Sequence, residues 1–305
     1  MQINKLFLIL VLFFIESNLN AAFGQANPAL FDSDKSVTLL AGDFSFTEGP
    51  AADSEGNVYF TDQPNDKIWV WTIDGELQLF TDESGRSNGL YVDEQDRLVA
   101  CADMDNQLWR FDSDGEAEIL LENYENNRLN GPNDLWIRPD GKIYFTDPLY
   151  ARNYWTRDPE MQVGGQYVYF FDPEGRAQAV PVDTDIVKPN GLIGNPKTKT
   201  LYVADIGDGK TYSYKMKKNG KLKKRKLFTG MGSDGMTIDE RGNIYLTGDG
   251  VTIFNPDGEK IGHIPVPERW TANVTFGGAD RNILYITASR GLYSLEMNVR
   301  GMPRF

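Results

Sequence analysis

The sequence predicts an all-β protein, a six-bladed β-propeller, and three observations lead to that prediction. Helical periodicity is almost absent beyond residue 26. Short runs of β-branched and aromatic residues alternate with turns rich in Gly, Pro, Asp and Asn, which is typical of all-β chains. A similar unit also recurs six times, with starts that lie 39 to 57 residues apart. That spacing is close to the roughly 40–50 residues of a four-stranded propeller blade.

Each unit contains a short strand, an acidic or Gly-bearing turn, and a second strand that ends in YFTD or a similar sequence. Most units continue into a third strand. In a propeller the first strand of each blade lies innermost, around a central channel. The units are, in chain order, EGPAADSEGNVYFTD (48–62), NGLYVDEQDRLVACAD (88–103), NDLWIRPDGKIYFTD (133–147), NGLIGNPKTKTLYVAD (190–205), DGMTIDERGNIYLTGD (234–249) and NVTFGGADRNILYITA (273–288).

One strand precedes the first unit, and it gives the ring a means of closure. We expect SVTLLAGDFSF (36–46) to join the final blade, which ends in GLYSLEMNVRG. Residues 27–305 would then form a single propeller domain. A β-sandwich or a two-domain β protein is the alternative.

The first 26 residues have the pattern of a secretory signal peptide. Lys5 precedes an apolar run from Leu6 to Ile15, and small residues follow it up to Ala26. The run is too short and too poorly flanked for a membrane span, although a short anchor is the alternative. We therefore expect export to the periplasm or the extracellular medium, with no membrane span elsewhere in the chain.

Charge and cysteine content narrow the possible partners. The net charge of −13 repels nucleic acid and attracts cations such as Ca²⁺. The single basic run, KKNGKLKKRK (217–226), contains an Asn-Gly turn and is interpreted as a solvated hairpin. Cys101 is the only cysteine, and we expect it to be a small core residue.

The first positions of the six units belong to one chemical class. All are Asn, Asp or Glu, and innermost strands would bring them together at one mouth of the channel. Oxygen ligands without His or Cys suit Ca²⁺, although Zn²⁺, Mg²⁺ or Mn²⁺ remain possible. For any one position a turn is an equal alternative, because four of the units have Gly second. The positions are Glu48, Asn88, Asn133, Asn190, Asp234 and Asn273.

The histidine content excludes several kinds of hydrolase. His263 is the only histidine and lies on a predicted outer strand, where a surface or packing role is expected. An H-E-x-x-H zinc site needs two histidines. A serine hydrolase with a histidine base would have to use His263.

Seven segments distributed over the chain match motifs of one known family. They are FTEGP (46–50), LNGPND (129–134), GKIYFTDP (141–148), KPNGL (188–192), SDGMTID (233–239), GDGVTIFNPDGE (248–259) and ANVTFGGADRNILYITASRGLYSL (272–295). On these segments the chain resembles the family of gluconolactonases, senescence marker protein and luciferin-regenerating enzyme, and its bacterial gluconolactonase branch most closely. Diisopropyl fluorophosphatase is a close structural cousin of that family, and the paraoxonases are more distant.

The resemblance implies a six-bladed propeller with a divalent cation, usually Ca²⁺, at the channel mouth. Residues that match the family's metal ligands are Glu48, Asn133, Asn190 and Asp234. Asn88 and Asn273 match the same ring. Asn88 would contact substrate or metal-bound water, and Asn273 would contact substrate or support the site. Asn133 is a further substrate contact.

Lactone hydrolysis needs a polarised carbonyl and an activated water. Carboxylates are the only bases in the ring, so Asp234 is the predicted general base and Glu48 the second catalytic carboxylate. A covalent route with Asp234 as nucleophile is the alternative.

The longest interval between units contains DPLYARNYWTRDPEMQVGG (147–165). We expect either a loop over the channel mouth that packs on a sugar ring through Tyr150, Tyr154 and Trp155, or a loop packed by its own aromatic residues. Arg152 and Arg157 would read hydroxyl groups in the first case.

The leading functional prediction is a Ca²⁺-dependent hydrolase of a sugar lactone, acting as a monomer or weak dimer. The alternatives are a phosphotriester or fluorophosphate hydrolase at the same site, and a non-catalytic propeller with a structural calcium.

Overall fold

The computed structural model describes residues 27–175 and 178–303, so the predicted signal peptide lies outside the described residues. The described chain forms a ring of six four-stranded antiparallel sheets, which confirms the predicted propeller. Its strands are β1 (Thr38–Ala41), β2 (Thr47–Ala52), β3 (Val58–Asp62), β4 (Lys67–Trp71), β5 (Leu77–Thr81), β6 (Leu90–Val92), β7 (Leu98–Ala102), β8 (Gln107–Phe111), β9 (Ala117–Leu121), β10 (Leu135–Ile137), β11 (Ile143–Asp147), β12 (Tyr167–Phe171), β13 (Val180–Asp183), β14 (Pro189–Asn195), β15 (Thr200–Asp205), β16 (Lys210–Met216), β17 (Leu222–Thr229), β18 (Met236–Ile238), β19 (Ile244–Gly248), β20 (Gly250–Phe254), β21 (Lys260–Ile264), β22 (Thr271–Gly277), β23 (Ile283–Ala288) and β24 (Gly291–Glu296).

Five blades are simple meanders in chain order, and the sixth closes the ring. Its order is β1-β24-β23-β22, so the N-terminal strand becomes its outermost strand. Thr38 pairs with Ser294 and Leu39 with Tyr293 in an antiparallel ladder. The predicted closure by the N-terminal strand is therefore confirmed.

The innermost strands surround the channel. Each contacts the innermost strand of the next blade, and β22 returns to β2. The second strands are almost entirely buried, as in Ile143–Asp147. The outermost strand of blade four, Leu222–Thr229, is instead mostly exposed and rich in lysine. The core therefore lies between the faces of neighbouring sheets.

The packing between blades depends on a close approach at Gly194. A Cβ atom at this position would lie 2.3 Å from the ring of Trp136, which is fully buried in the neighbouring blade. Any larger residue would have to displace the indole, and overpacking of this kind destabilises a core.

Three smaller predictions are also confirmed. Cys101 is buried in β7 and is a free thiol. The basic run falls in the β16–β17 hairpin. His263 lies on β21, the outermost strand of its blade, where its Nδ1 hydrogen bonds with the hydroxyl of Thr252. Among the described residues, no helix has both the length and the apolar character needed to span a membrane.

Candidate active site

The predicted ring of polar side chains converges on a cavity at one mouth of the channel. The cavity has a volume of about 230 Å³. Among the residues that line it are Glu48, Asn88, Asn133 and Asp234 from four different blades, together with Tyr150, Arg152 and Trp270. Asn190 joins them through direct hydrogen bonds to Asp234 and Tyr150. The structure therefore brings together all four predicted metal ligands.

A β-bulge aims the ring side chains into the channel. Thr146 of β11 accepts a hydrogen bond from the Asn133 N–H through its carbonyl group, and its own N–H donates to the carbonyl of Asp134. One residue thus opposes two, which is the arrangement of a bulge. Cys101 opposes Asn88 and its neighbour in the same way. In a regular strand this side chain would point to one face of the sheet, whereas the bulge turns it toward the channel axis.

Asp234 is held by two donors. The Asn190 side-chain nitrogen lies 2.8 Å from Asp234 Oδ1, and the indole nitrogen of Trp270 lies 2.6 Å from Oδ2. The same Asn190 nitrogen donates to the Tyr150 hydroxyl at 2.9 Å. The Asn190 side-chain oxygen takes part in neither of these two hydrogen bonds. Burial raises the pKa of Asp234, although these two hydrogen bonds oppose the shift.

Glu48 is the second carboxylate of the cavity. Its Oε2 accepts the N–H of Gly49 at 2.8 Å, and Asn273 forms a further hydrogen bond with the carboxylate. Burial holds the pKa of Glu48 well above its usual value, and the nearby charge of Asp234 adds to that effect. Gly49 has φ +45°, and a Cβ atom there would lie 2.1 Å from the Asn88 carbonyl oxygen, so only glycine fits beside this ligand.

Asn133 and Asn88 present amides without protein partners. Both side chains are buried, at 4% and 2% exposure, yet no hydrogen bond to either side-chain amide is found among the described residues. Both residues line the cavity, so these amides are available to a ligand bound there.

The donor set fits a hard divalent cation. A buried and a half-buried carboxylate line the cavity with two unpartnered amides beside them, and oxygen ligands of this kind suit Ca²⁺. Within residues 27–175 and 178–303, no group of three or more His, Cys, Asp or Glu side chains could hold a metal ion. Amide oxygens must therefore complete any coordination sphere, and such a mixture disfavours zinc.

Asn273 lies deeper than the other ring residues. It does not line the mouth cavity but faces a second cavity farther along the channel, and its side chain hydrogen bonds with both Glu48 and Asp134. Burial raises the pKa of Asp134 to about 8. Asp134, which the sequence reasoning missed, thus forms a layer with Asn273 beneath the ring. Its position directly after Asn133, across the bulge, is the signal that could have found it.

A second set of aspartates, also missed, positions the ring from behind. Asp147 is fully buried, and its two oxygens accept the N–H groups of Asn130 and Gly131 at 3.0 and 2.9 Å. The Asp205 carboxylate likewise accepts the N–H groups of Val187 and Lys188. Each pair of N–H groups lies two to three residues before a ring asparagine. The recurring YFTD ending of the units was the visible signal of these anchors.

Asp103 occupies the same place in the second unit but has a different role. Its carboxylate accepts Gln63 Nε2 at 3.1 Å and lies 3.8 Å from Arg152 Nε and 3.7 Å from an Arg157 amino nitrogen. Arg157 also donates to the carbonyl of Asn130 at 2.9 Å. Asp103 therefore attaches the long loop after β11 to the mouth of the channel.

The loop combines both of the arrangements that the sequence allowed. Tyr150 and Arg152 line the cavity. Tyr154 and Trp155 instead pack within the protein, where Arg86 lies 4.6 Å from the Tyr154 ring and Arg157 lies 3.3 Å from the Trp155 ring. Only the first part of the loop is thus placed to contact a substrate.

The Asp103 anchor predicts a pH-dependent stability. Burial raises the pKa of Asp103 from 3.8 to about 6, so as pH falls the folded state takes up this proton before the unfolded state does. The stabilisation that protonation provides is lost as pH rises through about 6. Lowering the pH from 7 to 5 should raise the free energy of unfolding of the wild type by about 1 kcal/mol relative to Asp103→Asn.

Urea denaturation of both proteins at the two pH values measures this difference. The exposed Asp112→Asn variant is the control for the loss of one carboxylate. A difference between wild type and Asp103→Asn that stays constant or changes sign would contradict the assignment.

A nucleophilic serine is not supported by the geometry. Residues 85–89, GRSNG, match the G-x-S-x-G pattern of some serine hydrolases. The Ser87 hydroxyl is nevertheless fully buried and donates to the Ser84 carbonyl at 2.6 Å, while His263 lies on an outer strand of another blade. The match is therefore part of a turn.

The chain is similar to known proteins in both sequence and fold. Residues 46–290 match the family described as SMP-30/Gluconolactonase/LRE-like region. A gluconolactonase of Zymomonas mobilis is 27% identical over 92% of this chain and 86% of its own length. The structure of a gluconolactonase from Xanthomonas campestris superimposes with a TM-score of 0.78 at 31% identity, covering 86% of this chain and 89% of the other.

A more distant structure shares the fold. Regucalcin from Agrobacterium tumefaciens, described as a calcium-binding protein, superimposes with a TM-score of 0.72 at 19% identity, over 87% of this chain and 95% of its own.

Proposed function

The chain belongs to the SMP-30/Gluconolactonase/LRE-like family, whose gluconolactonases hydrolyse lactones, and we propose that it is a Ca²⁺-dependent hydrolase of a sugar lactone. We further propose that it is exported, because residues 1–26 have the pattern of a signal peptide. Its site of action would then be the periplasm or the extracellular medium.

One observation carries the proposal. Two carboxylates, the buried Glu48 and the half-buried Asp234, line a single cavity together with the unpartnered amides of Asn88 and Asn133. Burial raises the pKa of both carboxylates. A bound divalent ion would relieve their repulsion and provide the amide oxygens with a partner.

Glu48, Asn133, Asn190 and Asp234 would hold the cation. When bound, it would supply a Lewis acid that polarises the lactone carbonyl. The protein contributes orientation, because Trp270 and Asn190 fix the plane of the Asp234 carboxylate with hydrogen bonds of 2.6 and 2.8 Å. An oriented carboxylate is ready to accept a proton without reorganisation.

Asp234 is the proposed general base. It would accept the proton of the attacking water at one of its carboxylate oxygens. The same proton can pass to the departing ring oxygen as the lactone opens. Tyr150 would contact the sugar, because it lines the cavity and its hydroxyl is already held by Asn190.

The proposal is tested with purified protein on a panel of neutral sugar lactones that includes D-glucono-1,5-lactone. Acid release is followed with a pH indicator in Ca²⁺, in chelator, and after Ca²⁺ is returned. We expect hydrolysis above the spontaneous rate, its loss in chelator, and its recovery with Ca²⁺. Turnover that survives chelation would refute the metal dependence. Absence of turnover on every lactone, despite Ca²⁺ binding, would refute the lactonase assignment.

A further inference from the structure

Two cations lie at the mouth of the cavity without a matching anion. The Arg152 guanidinium carbon is 5.2 Å from the centre of the Tyr150 ring, and Lys188 Nζ is 3.8 Å from it. Tyr150 and Arg152 both line the cavity. The two basic side chains thus flank the tyrosine that hydrogen bonds with the metal-ligand candidate Asn190.

Neither cation has a close ion pair in the described part of the chain. For Lys188, none is found within 4.0 Å. Arg152 approaches one carboxylate, that of Asp103, at 3.8 Å, which is too long for a hydrogen bond. Its Nε is buried without a partner.

The carboxylates near the two basic side chains have other partners. Asp103 is shared between Arg152 and Arg157, at 3.8 and 3.7 Å. Asp205 accepts backbone N–H groups, that of Lys188 among them. Within the described residues, neither Arg152 nor Lys188 therefore has a side-chain hydrogen bond to a carboxylate.

Resting on the proposed lactonase function, we propose that Arg152 and Lys188 form a subsite for a second, anionic group on the substrate. The preferred lactone then carries a carboxylate, sulfonate or phosphate at the end of the molecule away from the reacting carbonyl. The guanidinium group can bind such a planar or tetrahedral anion through two parallel N–H donors, with Lys188 as a point charge beside it. Tyr150 contacts both basic side chains and hydrogen bonds with Asn190 of the ring, so the subsite adjoins the carboxylates.

The test compares kcat/KM for matched pairs of lactones in saturating Ca²⁺. D-Glucono-1,5-lactone is compared with its 6-phosphate, and D-glucono-1,4-lactone with D-glucaro-1,4-lactone, which carries a carboxylate. The wild type should prefer the anionic member of at least one pair by about tenfold or more, the range of one charge-assisted hydrogen bond. The pair that shows the preference identifies phosphate or carboxylate as the recognised group.

The variants are Arg152→Gln and Lys188→Met, with Lys223→Gln as a control that removes one exposed lysine from the outermost strand of blade four. Arg152→Gln should lower the anionic-to-neutral ratio of kcat/KM about tenfold. Lys188→Met should lower it by a smaller factor, and the control should leave it unchanged. A ratio that Arg152→Gln and Lys188→Met both leave unchanged, or a wild type that prefers neutral lactones in both pairs, overturns the proposal.

Equilibrium binding separates this proposal from the proposed function. Calorimetry with Ca²⁺-loaded protein compares 6-phospho-D-gluconate and D-glucarate with D-gluconate, none of which requires turnover. Tighter binding of one of the two anionic acids that depends on Arg152 supports the subsite even if no lactone is hydrolysed. Equal binding of all three acids by a protein that hydrolyses lactones rejects the subsite and leaves the lactonase intact.

Discussion

Asp234→Asn is expected to lower kcat for lactone hydrolysis by about 10³-fold at saturating Ca²⁺, within the range for loss of a general base. The substitution preserves size but removes the charge and the basic oxygen. In the wild type, the Asn190 side chain and the Trp270 indole each donate a hydrogen bond to one carboxylate oxygen of Asp234. The substitution puts an amide in place of that carboxylate, between the same two donors. Steady-state kinetics across a Ca²⁺ titration distinguish loss of the base from loss of metal affinity.

Trp270→Phe is the matched control for Asp234→Asn. It keeps the carboxylate and removes the 2.6 Å hydrogen bond from the indole, so a smaller loss of about tenfold is expected. If Asp234→Asn retained more than a tenth of the wild-type kcat at saturating Ca²⁺, Glu48 would have to be the base instead.

Asp147→Ala is expected to lower the free energy of unfolding by about 3 kcal/mol or more, because two buried N–H groups lose their acceptor at about 1–3 kcal/mol each. Those groups belong to Asn130 and Gly131, in the segment that leads to Asn133. Urea denaturation measures the stability change. A weaker affinity for Ca²⁺ should accompany it, since Asn133 would no longer be held in place.

Asp112→Ala provides the comparison for Asp147→Ala. The Asp112 carboxylate also accepts two backbone N–H groups, those of Asp114 and Glu116, but in an exposed turn between β8 and β9. Water can replace it there, so a loss below about 1 kcal/mol is expected. Equal losses for the two variants would show that burial of the Asp147 anchor contributes nothing.

The propeller could be predicted from the sequence because equivalent residues occupy the same position in each of the six repeated units. Glu48, Asn133 and Asp234 are far apart in the chain, yet each opens an innermost strand, and the ring geometry follows from that shared position. Asn273 has the same position in its unit but lies deeper, since its side chain hydrogen bonds with Glu48 and Asp134. The position of a residue in the repeated unit predicts at which end of a strand it lies. It does not predict how deep in the channel its side chain lies.

The anchors behind the ring were harder to predict. Asp147 and Asp103 occupy equivalent places in their units, and nothing in either unit distinguishes them. One accepts backbone N–H groups, whereas the other attaches a loop from a different blade through Arg152 and Arg157. That difference depends on contacts between distant segments, which local sequence does not encode.

The closure of the ring by its first strand also has a kinetic consequence. The hairpins within each blade are local in sequence, and such contacts form quickly. Thr38, however, pairs with Ser294, which lies at the other end of the propeller sequence. The long-range pairing of β1 with β24 is therefore expected to limit the rate of folding. Because Glu48 and Asp234 come from different blades, high-affinity calcium binding should appear only in that final step, and would report on it directly.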